Sequence, residues 1–172
     1  MKIMFGWRAY MPELSSYAIA VAELLKARGE SVAVAESSAG GLISAALVSI
    51  EGASKYYVGG TVSYTRGAGQ NLLAISDSKL ENIRASTEPY ALVNAREVKE
   101  KLGTTWGLSE TGATGPTGNR YGDAAGHACL AVAGPVEKSI TVETGDADRE
   151  ANMWVFAAAA LSLLEETLKE AE

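Results

Sequence analysis

Ser31-Val32-Ala33-Val34-Ala35-Glu36-Ser37-Ser38-Ala39-Gly40-Gly41-Leu42-Ile43 reads as a short apolar strand that turns through two hydroxyls and two glycines directly into an apolar helix. In open α/β sheets, ligands lie outside the carboxyl ends of strands, where the following helix aims its N-terminal N–H groups at them. Ser37 and Ser38 fall at that spot, directly after a carboxylate. Gly40 and Gly41 let a bound group approach the backbone with no Cβ in the way. An ordinary Ser-capped helix after a strand carries the same local pattern, so the rest of the chain decides between the two.

Upstream, Leu14, Ala18, Ala20, Val21, Leu24 and Leu25 recur at helical spacing between Glu13 and Arg28, and Gly29 stands where a helix stops. The segment before it, to about Pro12, has no clear period and is expected to lie over the surface. Downstream, the helix from about Gly41 to Ser49 is apolar on nearly every side and is expected to be buried. Tyr56 to Tyr64 reads as a strand interrupted by a glycine pair, which weakens it unless a backbone or ligand approaches closely. Thr65 to Gln70 reads as a loop, followed by short helical pieces at Asn71–Ala74 and Asp77–Ile83 and a longer helix at Glu88–Leu102 ending at Gly103. Thr105 to Glu110 is a further strand running into a small-residue loop, Thr111 to Gly118. His127–Ala133 and Ser139–Thr144 form a hairpin through Gly134-Pro135, and a helix from Arg149 to Leu168 closes the chain. Mixed alternation followed by a hairpin predicts an α/β fold, a three-layer α/β/α domain with a mixed sheet.

A chain of 172 residues is expected to form one domain over residues 1–172. Apolar residues make up 47% and charged residues 21%, the composition of a globular protein. The net charge of -6 argues against a nucleic-acid partner, since phosphate backbones require a basic surface. A small phosphorylated ligand needs only one local cation or helix terminus. The single cysteine, Cys129, forms no internal disulfide and fits a reducing compartment; with one histidine beside it, a metal site is not expected. No apolar run reaches the ~20 residues that cross a bilayer, and the N-terminus is too interrupted for a signal peptide. These features predict a cytoplasmic protein without a membrane partner.

Three stretches share one character, a strand end followed by small residues and hydroxyls: Glu36–Gly41, Gly59–Gly69 and Glu110–Gly118. Adjacent strand ends converge on one rim, so these predict a single pocket suited to a phosphate or an oxyanion. Gly145-Asp146-Ala147-Asp148-Arg149 opens the last helix and brings a guanidinium, which binds phosphate through two parallel N–H contacts, toward the same rim. No Gly-Lys-Ser/Thr phosphate loop, no G-x-G-x-x-G turn and no G-x-S-x-G elbow occurs. From the residues alone, either Ser37 or Ser38 is a candidate nucleophile.

Ala35-Glu36-Ser37-Ser38-Ala39-Gly40-Gly41 resembles the A-E-S-C-T-G-G signature of the C-terminal domain of the competence/damage-inducible CinA family. Gly52-Ala53-Ser54 is similar to its G-S-S turn, and Gly59-Gly60-Thr61-Val62-Ser63-Tyr64 to its G-G-x-V-T-Y strand. Thr111-Gly112-Ala113-Thr114-Gly115-Pro116 resembles the T-G-I-A-G-P loop, and Gly145–Arg149 the G-D-R start of the last helix. The match runs in order from Leu14 to Leu168, and the chain is expected to be a stand-alone domain of this kind. The resemblance implies an amidase that cleaves the carboxamide of nicotinamide mononucleotide without a cofactor, using a Ser–Lys pair with a nearby Tyr. It implies Ser37 as nucleophile, Tyr64 as the tyrosine, and Gly40, Gly41, Ser54, Thr111, Gly112 and Arg149 as groups that hold the substrate or its phosphate.

The sequence departs from that family at the base. The family run T-Y-S-N-E-A-K reads Ser63-Tyr64-Thr65-Arg66-Gly67-Ala68-Gly69 here, so Gly69 occupies the lysine position and cannot accept a proton. Arg66 is near in sequence, but a guanidinium stays protonated. Ala39 replaces the signature threonine, and His127 stands where the K-P-x-G-T stretch usually ends in threonine. His127 has a pKa suited to a base, although a lone histidine at a strand start is more often a hydrogen-bonded structural residue. Two readings follow: an amidohydrolase with an altered base, or a nucleotide-binding protein that has lost amide hydrolysis. The N-terminal aromatics Phe5, Trp7 and Tyr10 and the Ala-rich last helix are candidate surfaces for a homo-oligomer.

Overall fold

The computed structural model describes residues 11–171, so the segment holding Phe5, Trp7 and Tyr10 lies outside the described residues. Five strands form one sheet in the order β2-β1-β3-β4-β5. β1 (Val32–Glu36) is central and parallel to both β2 (Tyr57–Val62) and β3 (Trp106–Ala113). β4 (His127–Ala133) and β5 (Glu137–Glu143) add antiparallel to β3 and to each other. The expected mixed sheet is therefore present.

Pleating splits the strand side chains between two layers. Val32, Val34, Trp106, Leu108, Ala128, Leu130 and Val132 face a core closed by α1 (Met11–Arg28), α2 (Leu42–Val48) and α5 (Arg149–Glu170). On the opposite face Ala33, Ala35, Cys129, Ala131 and Ala133 meet α4 (Glu88–Leu102). The residues beneath α4 are small, so the helix lies close to the sheet. A Cβ at Gly107 would collide with the Ala95 carbonyl and stand 2.9 Å from Lys99 Cβ. α4 is defined at both ends: Thr87 Oγ1 accepts the Tyr90 N–H, and Gly103 closes the helix in the left-handed conformation.

Three expectations need correction. Residues 65–70 are not a loop: Thr65 caps α3 (Arg66–Leu73) by accepting the Ala68 N–H, and helical residues continue through the glycines. β3 runs through Thr111 and Gly112 to Ala113, because pairing with Cys129, Ala128 and His127 of β4 keeps those residues extended. α2 is not buried all round: Ile43, Ala46 and Leu47 face the core, while Ala45 and Val48 are exposed.

Candidate active site

β1 continues to β2 through α2 on one face of the sheet, whereas the route from β2 to β3 passes over the other face through α4. That reversal opens a crevice at the carboxyl ends of β1 and β3, and a cavity of about 640 Å³ occupies it. Glu36 and Ser37 reach it from the end of β1, Ser63–Arg66 from beyond β2, and Glu110–Gly112 from β3. Tyr90 and Asn94 of α4 form a wall, and Arg84, Arg120 and Tyr121 complete it from the loops. The three predicted segments therefore meet in one place.

The turn at the centre is organised by two carboxylates. Glu36, 1% exposed, folds forward over the start of α2. Its Oε2 accepts the Gly41 and Ile43 N–H groups at 2.9 and 3.0 Å. Its Oε1 accepts the Ser44 N–H at 2.8 Å and the Ser44 hydroxyl at 2.5 Å. Glu110, 2% exposed, reaches the same turn from β3. Its Oε2 accepts the Ser37 and Ala39 N–H groups at 3.0 and 2.8 Å, and its Oε1 accepts the Ser38 hydroxyl. Burial pushes the Glu110 carboxyl above the usual carboxylate range; its three donors pull it back in part, and the Glu36 charge adds to the rise.

These contacts revise the expected anion cradle. Gly40 and Gly41 adopt positive φ, +68° and +101°, and so make the tight turn possible. The Gly41 N–H is committed to Glu36, however, and the Gly40 N–H to the Ser37 carbonyl. The start of α2 thus holds a carboxylate of its own chain. Gly112 lines the cavity, but its lack of a side chain answers to β4, where a Cβ would meet the His127 carbonyl and Ala128. Thr111 is buried and borders the cavity. Ser54 does not join the site: it is exposed in the 3-10 turn Ala53–Lys55 before β2, at the opposite rim of the sheet.

Tyr64 and Arg149 do come together. Arg149 Nη2 donates to the Tyr64 hydroxyl at 2.7 Å and Nη1 to the Gly115 carbonyl at 2.7 Å, with the guanidinium 5.9 Å from the Tyr64 ring centroid. Ser37 is half-buried and borders the cavity, whereas Ser38 is buried beneath it against Glu110. His127 is occupied elsewhere: Nδ1 pairs with Glu143 Oε1 at 2.5 Å and Nε2 with the Ser86 carbonyl at 3.0 Å. Both partners carry acceptor oxygens, so these contacts favour the ring protonated at both nitrogens. Burial pushes its pKa down, but the Glu143 and Ser86 hydrogen bonds and the Asp123 charge outweigh that, and the net shift is upward.

Several site residues escaped the sequence reading. Glu110 looked like the last residue of a strand, and nothing local marks it as the partner of a turn 73 residues away. Arg84 is held by Asp123 through two contacts at 2.6 and 2.8 Å. Arg120 donates to the Tyr121 hydroxyl at 2.8 Å, and both guanidiniums flank the Tyr121 ring, 5.5 and 5.0 Å from its centroid. The polar, aromatic run Asn119-Arg120-Tyr121 within a loop is a signal that could have found Arg120 and Tyr121; nothing local marks Arg84. Among the described residues, no group of three or more His, Cys, Asp or Glu side chains is placed to hold a metal ion, and no helix is long and apolar enough to cross a membrane.

The profile of the CinA C-terminal domain matches residues 14–168. A CinA-like protein of Nostoc sp. is 39% identical over 134 residues, covering 78% of this chain and 32% of the relative. One from Salinibacter ruber is 36% identical over 146 residues, covering 85% of this chain and 35% of the relative. The chain thus spans about a third of the length of the curated relatives it matches. The crystal structure of a competence-damaged protein (CinA) superfamily protein from Klebsiella pneumoniae superimposes with a TM-score of 0.85 at 25% identity, covering 91% of this chain and 98% of that one. The competence/damage-inducible protein CihA from Agrobacterium tumefaciens gives 0.83 at 25% identity over 98% and 99% of the two chains. With the family profile matched over residues 14–168, relatives 36–39% identical and the fold shared with these crystal structures, the chain belongs to the CinA C-terminal domain family.

Proposed function

We propose that this protein is an amidohydrolase that cleaves the carboxamide of a pyridine mononucleotide, releasing ammonia, with Ser37 as the nucleophile. The observation that carries the reading is the position of Ser37: a half-buried hydroxyl at a strand end, bordering a cavity whose walls carry Arg66, Arg84 and Arg120. An anionic nucleotide suits those guanidiniums even though the whole chain carries a net charge of -6. The Tyr64 hydroxyl accepts from Arg149, which leaves its own hydrogen to donate to a developing oxyanion. Arg149 supports that tyrosine and supplies positive charge for a phosphate at the same rim. No metal or organic cofactor takes part in this scheme.

A second reading is supported by Gly69 and by the two carboxylates that fill the turn: a family member that binds the nucleotide and leaves its amide intact. Ammonia release from nicotinamide mononucleotide, run beside a binding titration, separates the two. Turnover in the wild type with a loss of ~10³-fold or more in Ser37→Ala supports the amidase. Binding without turnover supports the second reading, and absence of both refutes each of them.

A further inference from the structure

Glu110 is an unusual residue for its place. It sits on a central strand, 2% exposed, next to Leu108 and paired in register with Leu130. A carboxylate carried into such a position costs free energy that an apolar side chain would not. It is not needed to cap α2, since Glu36 already takes the N–H groups of Gly41, Ile43 and Ser44. Its hydrogen bonds go to the turn that presents the cavity hydroxyl, and the residue itself borders the cavity.

We propose that Glu110 is the catalytic base for Ser37, in place of the lysine whose position Gly69 occupies. The assignment rests on the amidohydrolase reading above. Glu110 Oε2 lies 3.0 Å from the Ser37 nitrogen. The structure shows that oxygen accepting the Ser37 N–H; the nitrogen and Oγ of one serine are separated by a single side-chain torsion, and the proposal requires the Ser37 rotamer that turns the hydroxyl toward Glu110. The Ser38 hydroxyl and the Ala39 N–H fix the carboxylate plane while this happens. The alternatives are unavailable. Arg66, Arg84 and Arg120 cannot accept a proton, and both nitrogens of His127 are occupied by Glu143 and the Ser86 carbonyl.

The proton balance closes. As the Ser37 Oγ–C bond forms at the carboxamide carbon, the Oγ proton passes to Glu110 and the carbonyl electron pair moves to oxygen. Collapse breaks the C–N bond, Glu110 returns the proton to the departing nitrogen, and ammonia leaves an ester on Ser37. Water then attacks that ester, gives a proton to Glu110, and the proton returns to Ser37 Oγ as the carboxylic acid is released. Burial and the Glu36 charge make Glu110 a stronger base than a surface carboxylate.

The test uses a fluorophosphonate that labels activated serines, with the labelled site read by mass spectrometry, alongside ammonia release. Wild-type labelling at Ser37 should rise with pH through a titration above the ordinary carboxylate value of about 4.3. Glu110→Gln, close to Glu110 in shape, should lower both labelling and ammonia release by ~10²–10⁴-fold and flatten the profile, while nicotinamide mononucleotide binding is retained. A folded Glu110→Gln protein that stays within about threefold of wild type, or a wild-type profile that is flat from acid to alkaline pH, overturns the assignment; so does a wild type that is never labelled at Ser37. Glu110-dependent labelling without ammonia release would leave Glu110 as the base and refute only the proposed substrate.

Discussion

At residue 69 the chain has a glycine inside a helix, buried, with ordinary φ and with room for a side chain: a Cβ would stand 3.8 Å from the Tyr90 hydroxyl and 3.9 Å from Ser63 Cβ. Both neighbours border the cavity. A lysine built there starts toward the site with no backbone strain, and replacing a mid-helix glycine favours the helix by roughly 0.5–1 kcal/mol. Gly69→Lys should therefore fold and raise ammonia release above wild type, and in the Glu110→Gln background it should raise release above that of Glu110→Gln alone. A folded double variant as inactive as Glu110→Gln alone would separate position 69 from the chemistry. The same residue explains a limit of the sequence reading: a glycine in place of lysine is visible in a string of letters, but its replacement is not. Glu110 comes near Ser37 only because β3 lies beside β1, which is a property of the sheet and not of any local run.

Among the elements, those with strong local chemistry were legible. α4 covers the expected Glu88–Leu102 and stops at Gly103, and the β4–β5 hairpin turns at the expected Gly134-Pro135, with β5 starting at Glu137 rather than Ser139. α3 was missed because Gly67 and Gly69 depress helix propensity, and a capping hydroxyl at Thr65 together with docking against α4 outweighs them. The contact between α4 and β3 is the tightest consequence of the sheet's small residues. With the Ala95 backbone against Gly107, a methyl group has no space, and neither the strand nor the helix backbone gives way easily. Gly107→Ala should destabilise the fold by about 1–3 kcal/mol, read as a lower denaturant midpoint. An unchanged midpoint would mean that α4 stands farther from the sheet than this packing implies.

For the molecule as a whole the net charge is -6, while Arg66, Arg84 and Arg120 border one cavity, the first two paired with Asp77 and Asp123. Its stability carries a pH signature from the single histidine. The folded pKa of His127 is raised, so the fold favours the protonated ring. That contribution is complete below the unfolded value, about 6.5, and is lost as pH climbs through the higher folded value. Thermal midpoints of the wild type should fall across that window relative to His127→Gln, whose profile should be flatter there; parallel profiles would show that the Glu143 and Asp123 contacts do not bias the ring. Beneath the Ser37 turn, Glu36 binds the end of β1 to the first amides of α2. Opening this seven-residue helix would strand a buried carboxylate with its donors removed, a large cost for so small an element. α2 is thereby prevented from fraying independently, and its amides should exchange with solvent as slowly as the central strand that holds them, as one cooperative unit.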